Sequence, residues 1–391
     1  MTKKMKMLII CEMYPYPPYK NGVCNTIYNF LSTEELANYE VTFLHFESEF
    51  CKENSIQNVN ANVIYQKIIG TEFTCKLNNK RILKPRGMIH IDSRKMEILD
   101  VSEYEIVLFA SIIDTCIYDK LINKDECKMI LFEADSPAMF YDREMRIAKN
   151  PIRRLYNRLQ MFLVSNYEKK LANIMDRIFF VSDVDRKYVS NYIGEAKTRT
   201  AKIGVKYIDI KQEHRIGKTI KIGFSGKMDY KPNYLASNYI INDIMPALNN
   251  LQVSYEIYLI GNKPAEEWID MARNDKRLIV TGFLDDIQSY IADMDIYISP
   301  LFIGSGMKNK ILEALSIGIP VIASDVSVDG IDGMIHETNY IHCDKNATNW
   351  ANKIVELYND VEKRIAISKK GKELIKSQYS WERFAKDLLD E

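Results

Sequence analysis

The sequence predicts an α/β protein made of two parallel-sheet domains, and three observations carry that prediction. From Lys6 onward, short β-rich apolar runs alternate with longer helical patterns, which is how parallel strands covered by helices read. These runs fall into two series, parted by the polar stretch Lys206–Lys218, which has little apolar periodicity. A length of 391 residues, at about 100 to 200 residues per domain, favours two such units over one.

The first series comprises Lys6–Cys11, Val41–Phe46, Ile106–Ala110, Lys128–Phe132 and Arg177–Val181. The second comprises Ile220–Phe224, Glu256–Ile260, Leu278–Thr281, Ile296–Pro300 and Pro320–Ala323, so the domains divide as 1–205 and 206–375. The helical stretch from Ala347 to Leu389 is too long for one element and is expected to break near Asn359 and at Gln378–Ser380. Segment Glu47–Asp100, rich in Asn and Lys, supports only short strands and a loop.

Hydrophobic residues make up 47% and charged residues 27%, so each domain can bury a core and a disordered chain is excluded. The formal net charge is zero, so no global field draws the chain to nucleic acid, and no nucleic-acid partner is expected. Cys11, Cys24, Cys51, Cys75, Cys116, Cys127 and Cys343 contain no C-x-x-C pair and no zinc-ligand spacing, and they read as reduced thiols. His45, His90, His214, His336 and His342 are scattered, and only tertiary contacts could bring two together.

Lys3, Lys4 and Lys6 precede the apolar run Met7–Cys11, but Glu12 and Pro15 end it short of the ~7 to 15 residues of a secretory core. No run approaches the ~18 to 20 apolar residues of a membrane span. The expected location is the cytoplasm, with contact at a membrane surface left open. Asn150–Tyr167 is where such contact would occur. There Ile152, Leu155, Tyr156, Leu159, Phe162 and Leu163 share one helical face, Arg153, Arg154 and Arg158 lie off it, and no acidic residue intervenes. The alternative is that this apolar face packs on the first domain's core while the arginines stay solvated.

The chemistry is most legible between Ile257 and Asp325. Strand Ile296–Pro300 runs into a loop with Gly304, Ser305 and Gly306, and then into a helix carrying Glu313 about two turns in. Loops at the carboxyl ends of parallel strands are where such folds bind ligands. Two glycines let backbone N–H groups approach a ligand, the helix end attracts a diphosphate, and Lys308 adds a cation. A carboxylate at 313 can accept two sugar hydroxyls at once. Taken alone, the same residues also fit a plain turn followed by a solvated glutamate.

The segment Gly304-Ser305-Gly306 with Lys310-Ile-Leu-Glu313-Ala, following a strand that ends in Pro300, resembles the retaining family-four glycosyltransferases. That resemblance implies the GT-B architecture, two Rossmann-like domains facing across a cleft, with residues 376–391 packing back on the N-terminal domain. It implies that Gly304, Ser305, Gly306, Met307 and Lys308 line the donor phosphates and that Glu313 holds the ribose. Gly226, Lys227 and Lys231 match the family's first C-terminal loop, where cations clamp phosphates, and Thr281, Gly282 and Phe283 flank the base. On the N-terminal side, Asn21 and Gly22 correspond to the acceptor loop, and Asp135 would position the transferred sugar or the acceptor hydroxyl. By residue type, Asp135 and Ser136 fit a helix N-cap equally well. The catalytic set is then Asp135, Lys227 and Glu313. Many members carry a second glutamate eight positions before the first, and here that position is Ser305.

The implied reaction moves a sugar from a nucleoside diphosphate, uridine-based, to a hydroxyl of a glycan or lipid-linked acceptor, with retention, in cell-surface polysaccharide or glycoconjugate synthesis. No cofactor and no metal are expected, because lysines and a helix end can meet the phosphate charge. Rival readings are a non-catalytic sugar-nucleotide-binding subunit and a sugar-nucleotide epimerase of the same architecture. A dinucleotide oxidoreductase is disfavoured, since no G-x-G-x-x-G follows the first strand.

Overall fold

The computed structural model describes residues 4–11, 22–46, 62–68, 98–207, 217, 219–304 and 306–390. Asn21, Ser305, most of the stretch Lys206–Lys218 and much of Glu47–Asp100 lie outside the described residues. The chain divides into two compact units, Met1–Gly204 with Trp381–Glu391 and Val205–Ser380.

In the first unit the elements are β1 Met5–Cys11, α1 Gly22–Leu31, β2 Tyr39–Phe46, β3 Asn62–Ile68, β4 Leu99–Asp100, β5 Ile106–Phe109 and β6 Leu121–Ile122. They continue with β7 Lys128–Ala134, α2 Pro137–Ile147, α3 Pro151–Ile174, β8 Arg177–Phe180, α4 Asp183–Ile193 and β9 Thr198–Thr200. Seven strands form a parallel sheet in the order β3-β2-β1-β5-β7-β8-β9, and β4 pairs with β6 apart from it. The central strands are apolar almost throughout because both faces are covered, and Ile10, Phe109, Leu131 and Phe180 lie in one core.

Helix α3 departs from the core-facing alternative. Asn157, Gln160, Val164, Glu168 and Leu171 are its buried stripe, whereas Ile152, Leu155, Tyr156 and Phe162 face outward and Leu159 and Leu163 are half-buried. Spacing reveals an apolar stripe but not which side of the helix the fold covers.

The second unit contains β10 Ile220–Ser225, α5 Lys231–Tyr239, α6 Met245–Asn250, β11 Tyr255–Ile260, α7 Glu266–Asn274, β12 Leu278–Gly282, α8 Ile287–Ala292 and β13 Ile296–Ser299. After these come α9 Asn309–Ile317, β14 Val321–Ala323, α10 Asp325–Val328, β15 Ile341–His342, α11 Ala347–Asn359 and α12 Val361–Gln378. Its six parallel strands run in the order β12-β11-β10-β13-β14-β15, the doubly wound arrangement. Strand order reverses between β10 and β13, so the carboxyl ends of these two strands flank the crevice where such sheets bind ligands. Helix α9 stops at Gly318, whose φ of +90° suits glycine and whose N–H donates to the Ala314 and Leu315 carbonyls.

Helix α13, Trp381–Leu389, belongs to the first unit, where Phe384 meets Phe30 and Phe132 edge-on at 5.9 and 5.3 Å. The chain therefore leaves the first unit after Gly204 and re-enters it at Trp381. These two points touch: a Cβ on Gly204 would lie 2.4 Å from the Trp381 backbone nitrogen. In the second unit, Val205 N–H donates to Tyr379 C=O at 2.9 Å.

Candidate functional site

At the switch point of the second unit, three loops are pressed backbone to backbone. Gly226 follows β10 with φ +149° and donates its N–H to the Ile260 carbonyl at 2.9 Å. Gly261 follows β11 with φ +147°, and a Cβ there would stand 1.9 Å from the Gly226 oxygen, so only glycine fits. Its N–H donates to Thr281 Oγ1 at 3.2 Å, and Thr281 donates to the Gly282 carbonyl at 3.0 Å. Thr281 and Gly282 are thereby fastened to the loop after β11, and Phe283 stands beyond them, 71% exposed.

The glycine loop after β13 leads to α9. Gly304 and Gly306 both have positive φ, and Lys308 occupies the N-cap position with no side-chain cap on the helix. Ile311 N–H already donates to the Lys308 carbonyl at 2.9 Å, so the Asn309 and Lys310 N–H groups and the positive end of the helix dipole are what the helix offers an anion. Lys308 Nζ donates to the Gly306 carbonyl. Glu313 lies just over one turn into α9, not two, because the helix begins only at Asn309, after the loop.

Lys310, which sequence reasoning did not single out, is the best-positioned cation of the group. Its Nζ donates to Asn233 Oδ1 at 2.6 Å and stands 4.3 Å from the centre of the Phe224 ring. Asn233 Nδ2 in turn donates to the Lys227 carbonyl at 2.9 Å. A Cβ on Gly226 would come within 2.6 Å of Asn233 Nδ2 and 2.9 Å of Lys310 Nζ, which is how closely the backbone approaches them. Loss of water pushes the Lys310 ammonium down to about 7, offset in part by Glu313. Burial pushes the Glu313 carboxyl up to about 7, offset in part by Lys310. The signal that could have identified Lys310 is its place three residues before Glu313, on the same helical face.

Lys227 and Lys231 are exposed. Lys227 pairs with Asp229 at 3.5 Å and shares it with Lys263, also at 3.5 Å. Lys231 opens α5. The folded second unit therefore brings Gly226, Lys227, Gly304, Gly306, Lys308, Lys310 and Glu313 to the carboxyl ends of β10 and β13. Thr281 and Gly282 join them through the β12 loop.

In the first unit, Gly22 opens α1, and a Cβ there would meet nothing within 4 Å. Asp135 is exposed at the carboxyl end of β7, after Ala134 with φ +63°. The N-cap of α2 is Ser136, which accepts from Met139 N–H at 3.2 Å, so capping does not account for Asp135. Behind it lies an acidic cluster. Glu133 is buried beside Glu168, and loss of water raises its pKa well above the ordinary range, with Glu168 and Asp185 adding to the effect. Burial raises Glu168 as well, although it accepts a hydrogen bond from Tyr192.

The sequence contains two Asp-x-Asp triplets, and both have structural partners. Asp183 and Asp185 sit in the first turn of α4, where Asp185 accepts from Ser136 N–H at 2.8 Å. Asp293 and Asp295 precede β13 at its amino end, where Asp295 accepts from Lys221 N–H at 2.8 Å and Asp293 pairs with Lys221 Nζ at 2.6 Å. Folding does bring one histidine to two carboxylates, with His342 Nε2 at 2.9 Å from Asp325 Oδ1 and 3.7 Å from Asp344 Oδ1. Both aspartates are exposed; Asp325 follows β14, His342 ends β15 and Asp344 comes after it, one and two strands beyond β13.

Residues 219–360 match the family Glycosyl transferases group 1. A sequence search of curated proteins finds no match. Among solved structures, the chain is similar to sucrose-phosphate synthase from Thermosynechococcus elongatus, with TM-score 0.66 and 14% identity over 98% of this chain and 96% of that one. It is similar to a TarM variant of S. aureus, with TM-score 0.67 and 12% identity over 99% of both chains. HepE of Anabaena gives TM-score 0.60 and 12% identity over 98% of this chain and 97% of that one. The likeness is one of architecture: the chain has the GT-B fold, two Rossmann-like domains each built on a parallel sheet.

Proposed function

We propose that the chain transfers a glycosyl group from a uridine diphosphate donor to a hydroxyl of a glycan or lipid-linked acceptor, with retention of anomeric configuration. The observation that carries this reading is the pairing of an uncapped α9 N-terminus and its glycine loop with Lys310 and Glu313 on that helix. All of these lie at the switch point of the second unit, within the segment that matches a glycosyltransferase family. Two similar structures support the donor class, HepE having been solved with UDP and glucose and the TarM variant with UDP and α-GlcNAc-glycerol.

In this reading the α9 N–H groups, Lys308 and Lys310 receive the diphosphate, Lys227 and Lys231 adding charge from the facing loop. Their positive potential stabilises the negative charge that grows on the leaving diphosphate as the glycosidic bond breaks. Glu313 accepts two ribose hydroxyls, and Thr281 to Phe283 flank the base. A donor phosphate oxygen takes the acceptor's proton, so no protein nucleophile is required, and Asp135 positions the sugar or the acceptor hydroxyl. Lysines and a helix end meet the phosphate charge without a metal. The product belongs to cell-surface polysaccharide or glycoconjugate synthesis.

A thermal-shift screen of nucleotide sugars is the first test, since a ligand at 100 times its dissociation constant stabilises by about 2.7 kcal/mol. Turnover with the stabilising donor, in chelator and with a glycan acceptor, then gives the product for anomeric analysis by NMR. A uridine diphosphate sugar should stabilise the protein and yield a retained linkage. Stabilisation by none overturns the proposal. Binding without turnover assigns a binding subunit, sugar isomerisation without acceptor assigns an epimerase, and activity only with added magnesium or manganese removes the metal-free mechanism.

A further inference from the structure

Helix α3 is amphipathic with its apolar side turned away from its own unit. Phe140 and Ile147 on α2, with Ile152, Leu155, Tyr156 and Phe162 on α3, are all exposed, Ile152 to 78% and Leu155 to 69%. Single exposed apolar residues are ordinary, but a band of six on one hairpin marks a surface that meets a partner. On α3, Leu155 and Tyr156 stand three and four residues after Ile152 and Phe162 seven after Leu155, so they form one stripe along the helix. The opposite stripe is already occupied, with Asn157, Gln160 and Glu168 buried beside Val164, Leu171 and Ala172.

Charge identifies the partner. From Asn150 to Tyr167 there is no acidic residue, and Arg154 and Arg158, both exposed, make no ion pair among the described residues. Arg153 and Arg146 are paired with Glu144 and Asp142. Exposed Lys149, Lys169 and Lys170 add to the excess, although the whole chain has net charge zero. A second copy docking on this face through a two-fold axis would bring two patches with the same basic excess together. An anionic surface with an apolar interior satisfies both halves of the stripe, since arginine stems can lie along it with their heads in the charged layer.

We propose that the α2–α3 face docks on an anionic lipid bilayer, with α3 lying in the plane of the interface. Among the described residues no helix is long and apolar enough to cross a membrane, so the contact is peripheral. Tyr156, apolar in body and polar at its tip, suits the boundary layer.

The test is flotation of the full chain with vesicles of phosphatidylcholine alone and of phosphatidylcholine mixed with phosphatidylglycerol. The double variants Leu155→Glu with Phe162→Glu, and Arg154→Glu with Arg158→Glu, are compared with the unaltered chain, with the melting temperature of each as the folding control and UDP binding measured beside it. All four positions are exposed, so both variants should fold. The unaltered chain should float only with the anionic vesicles, less so at high salt, and each variant should lose about tenfold or more in partitioning. Absence of binding to anionic vesicles, or binding indifferent to both variants, overturns the proposal. So does a dimer in sedimentation velocity that Leu155→Glu with Phe162→Glu dissociates while vesicle binding stays absent, which would assign the face to a second copy. Vesicle binding and UDP binding are read separately, so either can fail without the other.

Discussion

The Lys310 ammonium donates to the Asn233 side-chain oxygen at 2.6 Å, joining the first turn of α9 to α5. The same amide holds the Lys227 carbonyl through its nitrogen, so one side chain sets the spacing between the loop after β10 and the helix after β13. An ammonium has three donors. One is committed to Asn233, and the others can serve an anion at the helix end.

Replacing this cation should weaken nucleotide binding more than it weakens the fold. A hydrogen bond to a charged group contributes about 1.5 to 3 kcal/mol, so Lys310→Met should lower UDP affinity about 10- to 150-fold by calorimetry. Lys310→Arg should rescue little, because a planar fork does not fit where a compact ammonium meets one amide oxygen. Undiminished affinity in Lys310→Met would take Lys310 out of the site.

Donor affinity should be bell-shaped in pH, with its maximum near 7. Glu313, raised to about 7, accepts two hydroxyls fully only as the carboxylate, so affinity rises as pH climbs through that value. Lys310, lowered to about 7, attracts diphosphate only as the ammonium, so affinity falls as pH climbs further. Calorimetric titrations of UDP from pH 5.5 to 9 check this, and a flat profile would contradict both assignments.

Glu313 and Ser305 should separate sharply. Two charge-assisted hydrogen bonds to ribose are worth about 3 to 6 kcal/mol, so Glu313→Ala should lose on the order of 10² to 10⁴ in kcat/KM. Ser305→Ala removes one neutral hydroxyl and should stay within about tenfold. Melting temperature should barely move for Ser305→Ala, and Glu313→Ala should not lower it at pH 7, because burial already disfavours the Glu313 carboxylate in the fold. A well-folded, fully active Glu313→Ala protein would defeat the donor-site assignment.

Gly261→Ala should destabilise the second unit, because the new methyl would stand 1.9 Å from the Gly226 carbonyl at a φ of +147°. Backbone strain of this kind costs about 1 to 3 kcal/mol before the clash is counted. Gly22→Ala, with open space around it, is the control. Equal melting temperatures for the two would be the adverse result.

The buried Glu133 should make the first unit less stable as pH rises. Its folded pKa lies well above the ordinary one, so the folded unit keeps a proton that the unfolded chain releases above about 4.3. Its stabilising contribution is complete below that pH and is lost as pH climbs toward the folded value. Glu168 is shifted the same way. Glu133→Gln should flatten the decline in melting temperature between pH 5 and 8, and an unchanged slope would show that another group governs it.

Much of this was readable in the sequence, for physical reasons. Strands such as Ile220–Ser225 and Tyr255–Ile260 are buried on both faces, so they appear as apolar runs, and the glycines ending them mark the loops. The helix breaks at Asn359 and Gln378 were equally plain. Strands β9 and β15, of three and two residues, are too short to carry a pattern. Asn233 and Lys310 meet across 77 positions, and no local spacing announces such a contact. The outward turn of α3 depended on which side its neighbours would cover.

The contact between Gly204 and Trp381 has a consequence for how the gene can be cut. The whole of Val205–Ser380 is one uninterrupted insertion whose two ends meet, tied by Val205 and Tyr379. Such a piece carries its own six-stranded sheet and begins and ends at one point, as domains that tolerate excision do. Removing it would leave two ends of the first unit already in contact, so a short peptide could close them. The second unit could then be expressed, titrated with nucleotides and exchanged on its own.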